Sequence, residues 1–202
     1  MHPQHHALQQ RLQAYSIDLP DTPFPLSRKL AWENCWSLGY ANRVLEEYKK
    51  FAFLAVVAGH PVTPSEHIDQ AWHLHLIYTR VYWQDFCGEV LQMPLHHDPT
   101  LGGGAEQSKF KDWYGETLIT YERWFGVAPP SDIWPPPHIR FGRDLWVKRI
   151  NIQDNWIVPK WAIAPHLILR SIRAKLRAKL HTKLHTKLHT KLRDLVPHRH
   201  VL

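Results

Sequence analysis

The run Thr63-Pro64-Ser65-Glu66 marks the start of a helix more firmly than any other local signal in the chain. Thr63 offers a side-chain oxygen to cap free amides. Pro64 suits the first helical position, where its missing N–H costs nothing, and Glu66 can reach back to the amide of the cap. At about 100° per residue, Ile68, Trp72, His75, Thr79, Tyr82, Trp83, Phe86, Cys87 and Val90 then gather on one side. The pattern predicts one rod from Pro64 to near Leu91, with an aromatic core face about six turns long turned inward. A side that rich in large rings needs apolar faces of other helices to cover it.

Those faces are present. Leu8, Leu12 and Tyr15 predict a first helix from about Gln4 to Ile17, before the turn-forming stretch LPDTPFP. Ser27 suits the cap of a second helix through Leu38, with Gly39 as a stop or bend. Ala41, Val44, Leu45, Tyr48, Ala52 and Ala55 recur at steps of three and four, while Arg43, Glu46, Glu47 and Lys50 fall elsewhere around the wheel. This third segment is amphipathic and ends at Gly59. After the loop QMPLHHDPTLGGG, a last body helix is expected over Ala105 to Phe125. Phe110, Trp113, Tyr114, Thr117, Tyr121 and Trp124 face inward there, and Gly126 is the stop.

The expected fold is therefore mainly α, a bundle of about five helices. Residues 1–25 form an N-terminal helix and turn, and 26–140 a helical core domain whose compact part is 26–126. Within it, Ala128 to Ile139 (APPSDIWPPPHI) is too proline-rich for helix or central strand. It is expected to run extended, as a polyproline ligand or as a strap pinned by Ile133 and Trp134. Residues 141–170 are a Trp-rich strap, and β-branched and aromatic runs within 140–164 suit one β-hairpin. Residues 171–202 are a basic tail, RAKL RAKL HTKL HTKL HTKL from Arg173 to Leu192. As helix, its leucines drift about 40° per repeat and leave no apolar stripe. As strand, Lys, Arg and His share one side, yet twenty residues exceed an ordinary strand and the composition favours helix. A solvated helix is the expectation, in a repeat that need carry no function of its own.

Apolar residues make 44% of the chain and aromatic ones 12%, which excludes a disordered protein. Ten tryptophans serve either as core wedges or as rings that stack on a ligand. Cys35 and Cys87 are the only cysteines, so no CxxC thiolate metal site or redox pair exists. The start MHPQHHALQQ lacks the layout of a secretory signal, and a reducing cytoplasm is the expected location. The longest apolar run, Phe51 to Gly59, is far below the roughly 20 residues that cross a bilayer. Residues 165–202 hold ten of the 25 Lys and Arg and one of the 18 acids, a net of +9 that leaves the body at −2. The basic pI of 9.5 thus belongs to an appendage. It makes weak, salt-sensitive contact with anionic membrane or nucleic acid a property of residues 171–202 alone.

Chemistry concentrates in His67-Ile-Asp69-Gln-Ala-Trp72-His73-Leu-His75 and in His96-His97-Asp98 of the following loop. Asp69 and His73 lie four apart, on one helical face, where a carboxylate can orient an imidazole or both can bind one metal. His75 lies about 200° around the helix from His73, on the apolar side. The two histidines therefore have different tasks. His75 is either a core histidine bonded to a backbone carbonyl or a ligand that meets His97. A buried ring nitrogen left unpaired costs about 1–3 kcal/mol, so it needs a partner either way. Gly102-Gly103-Gly104 could hold an anion on backbone amides, a weak signal on its own. His181, His185 and His189 would form a column on a helix and otherwise ride in the repeat. There is no Walker loop, dinucleotide fingerprint, nucleophile elbow or HExxH.

Asp69-Gln-Ala-Trp72-His73-Leu-His75, followed by Tyr82-Trp-Gln-Asp85-Phe-Cys87 and His97-Asp98, resembles the glycine-rich domain-containing protein family, with its D-x-x-W-H-x-H segment, Asp/Cys pair and HD-type loop. Trp36, Glu47-Tyr48-x-x-Phe51 and Tyr121-x-x-x-Phe125-Gly126 are similar too, over about residues 30 to 140. The resemblance implies a helical domain and supplies no reaction. This chain departs from the family in carrying Thr79 where a proline is usual. It also carries the basic repeat in place of a long glycine-rich region. Two functions follow as expectations. One is a helical interaction or scaffold module for a protein partner, with Trp72, His73 and His75 organising the core and a polar pocket that includes Tyr82 and Asp98. The other is a metal-binding protein or metal-dependent enzyme holding a divalent ion such as zinc through Asp69, His73, His75 and His97.

Overall fold

The computed structural model describes residues 3–98, 104–142, 150 and 153–158. The chain divides into two units, Met1–Leu145 and Trp146–Leu202. The first carries every helix among the described residues, and no strand occurs among them. Most of the hairpin expected within 140–164, and all of the 171–202 tail, lie outside the described residues.

The central element is α3, Leu38–Val57, which packs against all the elements around it except the last short turn of helix. Ser37 caps it, its side chain accepting the Tyr40 amide at 3.2 Å. Ala41, Val44, Leu45, Tyr48, Phe51, Ala52 and Leu54 are buried along it, and Gly59 turns the chain away with φ +73°. Glu47 is buried as well, contrary to its expected place on the solvent side. Around α3 stand α1 (Pro3–Ala14), docked through Leu8 and Leu12, and α2 (Leu26–Glu33). The expected extension of α2 to Leu38 fails for a local reason. Cys35 takes a left-handed turn at φ +55°, and the Trp36 amide closes on the Ala31 carbonyl at 2.8 Å. Gly39 then falls inside α3. Ser27 is no cap either: Asp18 accepts both its amide (2.8 Å) and its hydroxyl (2.6 Å), placing a carboxylate at the positive end of α2.

The long rod is broken. Its first half, α4, spans Glu66–Ile77, two residues shorter at its start than expected. Ser65, not Thr63, is the cap and accepts the Ile68 amide at 3.3 Å. Thr63 stays extended because its own amide donates to Thr117 Oγ1 at 3.0 Å. At Tyr78 ψ swings to +58°, and the chain re-enters as a π-helix over Val81–Leu91. The break falls just before Thr79. The aromatic side still faces inward, since Trp72, His75, Tyr82, Phe86, Cys87 and Val90 are buried. Thr79 and Trp83, expected inward, are exposed, because the break and the wider winding of the second half shift the wheel.

The last long helix, α5 (Gly104–Phe125), buries Tyr114, Thr117 and Tyr121 and stops at Gly126 with φ +69°, as its sequence implies. The strap that follows is pinned by Ile133 and Trp134, both buried. It is not extended throughout: Pro136 and Pro137 open a single turn of helix, α6, over Pro137–Arg140.

Candidate metal centre

Asp69 and His73 share the outer face of α4, one turn apart, with a carboxylate oxygen 3.9 Å from His73 Nε2. From the loop after the π-helix, His97 comes down onto the same face. Its Nε2 lies 2.8 Å from Asp69 Oδ1, and its ring is 4.4 Å from that of His73 and 4.3 Å from that of Trp72. One ligand atom from each of Asp69, His73 and His97 falls within 4.8 Å of the others. Ligands at zinc bond lengths in a tetrahedron stand about 3.3–3.6 Å apart, so closing on an ion requires shifts of up to about 1.5 Å. His73, whose side chain is 52% exposed, is free to make them, whereas Asp69 and His97 are mostly covered.

His75 is not part of this group. It is fully buried on the opposite side of α4, ringed by Tyr15, Tyr48, Tyr82 and Phe86. Its partner is neither a carbonyl nor His97: Nδ1 meets the Tyr48 hydroxyl at 3.1 Å. Nε2 has no partner. Burial pushes the imidazole down to about 4, and the same burial holds the Tyr48 phenol well above its usual range. Tyr48 therefore keeps its proton, and its hydroxyl and Nδ1 share one hydrogen bond whose donor is set by the imidazole tautomer.

The remaining candidates divide between the two. Trp72 backs the site, its ring tilted against those of His97 and Phe51. Its indole N–H donates to the Tyr82 hydroxyl at 2.8 Å, and that hydroxyl donates in turn to the Leu95 carbonyl. Asp98 is exposed and outside the group of three. His96 is exposed against Trp83, their rings 5.4 Å apart. His67 ties the strap to α3: its Nδ1 lies 2.7 Å from the Tyr40 hydroxyl, which donates to the Asp132 carbonyl at 2.7 Å. The expectation that His73 helps organise the core is corrected by its exposure.

Sequence reasoning missed the polar core of the strap. Glu47 accepts from Lys50 (2.7 Å) and Tyr121 (3.2 Å) on one oxygen and from the Trp134 indole (3.0 Å) on the other. Only the Glu47/Lys50 spacing of three hinted at it, and such pairs are usually solvated. Cys35 is exposed, Cys87 buried, and both are free thiols. No helix among the described residues is long and apolar enough to cross a membrane.

No family model, curated protein or solved structure matches the chain.

Proposed function

We propose that the helical unit is a metal-binding protein that holds one divalent transition-metal ion through Asp69, His73 and His97. The observation that supports this is the convergence of two imidazoles and one carboxylate, from two separate segments, within 4.8 Å. Two neutral nitrogens and one carboxylate oxygen suit zinc, iron or nickel rather than calcium or magnesium, which prefer oxygen sets. Three protein ligands would leave a further position for water or a substrate oxygen, and the 52% exposure of the His73 side chain supports access to it from solvent. The bound ion would supply Lewis-acid chemistry there. Asp69 would lend the negative charge that offsets part of the ion's, and Trp72 would exclude water from one side of His97.

Reconstitution with zinc, iron(II) or nickel, followed by dialysis and elemental analysis, tests the reading. The expected result is one equivalent per chain, lost in His97→Ala and in His73→Ala. A wild-type chain that retains none of the three metals defeats it.

A second reading keeps the helical interaction module, akin to the glycine-rich domain-containing proteins that the W-H-x-H motif resembles. It is favoured by Trp32 and Ile77, 70% and 66% exposed. The same elemental analysis separates the two readings.

A further inference from the structure

His97 reaches the metal centre from a loop, and a loop ligand needs something to hold it. We infer that Tyr82, on the π-helix, is the positioning residue that sets His97 over Asp69; the inference rests on the metal-site reading above. Tyr82 acts by two routes that meet at the same imidazole. Its hydroxyl donates to the Leu95 carbonyl, two residues before His97, and so fixes the backbone from which that ligand hangs. It also accepts the Trp72 indole N–H at 2.8 Å, fixing the ring on which His97 rests at 4.3 Å.

The π-helical winding makes this clamp possible. In an α-helix, residues 82 and 87 would point about 140° apart. With i to i+5 pairing they lie nearly over one another, so Cys87 joins Tyr82 on the loop side. Cys87 is buried there beside Tyr82. The end of the π-helix closes in the same sense. Gln92 takes a left-handed turn at φ +59°, and the Met93 amide reaches back to the Cys87 carbonyl at 3.1 Å, starting the loop toward α4. The wide helix thereby brings the Tyr82 side chain to bear on Leu95 of the ligand-bearing loop, with Cys87 on the same side. Widened helical turns elsewhere cluster at functional sites.

Tyr82→Phe deletes the hydroxyl and keeps the ring. Zinc affinity is expected to fall about 10–100-fold, the usual effect of losing a group that orients a ligand, while saturating zinc still gives one equivalent, because all three ligands remain. Phe53→Leu, which loosens packing against Trp124 and Phe125, is the control for stability alone and leaves affinity unchanged. A second readout needs no metal. In the metal-free protein at one fixed pH, the ring 15N shifts of His97 are expected to move toward those of a solvated histidine in Tyr82→Phe. Those of His60, bonded to Thr120, stay in place. Trp72→Phe, which removes the other end of the same bond, shifts His97 in the same sense and serves if Tyr82→Phe does not fold. Affinity within twofold of wild type together with unmoved His97 shifts overturns the inference. If wild type takes up no metal, the metal reading falls by itself, and the 15N shifts still decide whether Tyr82 positions His97.

Discussion

His75 shows how a single side chain can be costly and still fixed in place. The core around it is aromatic, its Nε2 has no hydrogen-bond partner, and Tyr48 supplies the one hydrogen bond to the ring. Desolvation lowers the folded-state pKa from 6.5 to about 4. The unfolded chain therefore binds a proton that the folded chain refuses between those values, and stability rises with pH across that window. The contribution is full above pH 6.5 and is lost as pH falls toward 4, on the order of 3 kcal/mol at most. His75→Phe removes the titration and keeps an aromatic ring, somewhat larger than the imidazole. Urea midpoints from pH 7 to pH 4 should fall more steeply for wild type than for this variant, and parallel slopes would refute the assignment. The sequence made part of this legible. Its period separates His73 from His75 by about 200°, and one did prove exposed and the other buried. What it hid was the partner, because Tyr48 lies 27 positions away and nothing local announces a phenol facing an imidazole.

At the level of elements, the largest departure from sequence reading is the division of one expected rod into α4 and a π-helix. A helical wheel is nearly blind to it, since inward residues on both halves still obey roughly helical spacing. Tyr78 gives the break its chemistry. It leaves the α region at ψ +58°, yet its carbonyl accepts the Tyr82 amide at 2.9 Å, the bond that opens the next helix. Thr79 and Arg80 are helical and lead directly into the π-helix at Val81, so Tyr78 stands at the cap and Thr79 at the first position of the whole second segment. Proline is favoured at a first helical position and ruinous within a continuous helix, where it costs about 3 kcal/mol or more. Thr79→Pro therefore discriminates. With the helix broken as described, thermal unfolding should show a change within about 1 kcal/mol of wild type, stabilising if the unfolded chain is stiffened. A loss of about 3 kcal/mol would restore the single rod.

Across the whole first unit, helix existence was readable from local periods, while the packing that joins the metal-site face to the rest was not. The strap makes the point. Composition predicted that Ile133 and Trp134 pin it, and they do, but the sequence gives no sign of what lies beneath them. Trp134 sits between Tyr114, Tyr121 and Phe51, with its indole N–H on buried Glu47. Asp132 pairs with Arg43 at 2.8 Å, the Tyr114 hydroxyl donates to the Pro135 carbonyl at 2.7 Å, and Arg140 pairs with Glu66 at 3.2 Å. One short segment thereby fastens α3, α4 and α5. The exposed Arg43 pair adds little, so the closure rests on the ring and its hydrogen bond. Trp134→Ala leaves a cavity and strands one oxygen of Glu47, and should cost about 3–5 kcal/mol. If the strap closes the bundle, urea unfolding followed by helical circular dichroism keeps one transition, shifted as a whole to lower denaturant. If it is a local appendage, the helical signal melts where it did before. Only the first outcome fits a unit in which the face bearing Asp69 and His73 depends on a residue 61 positions beyond His73.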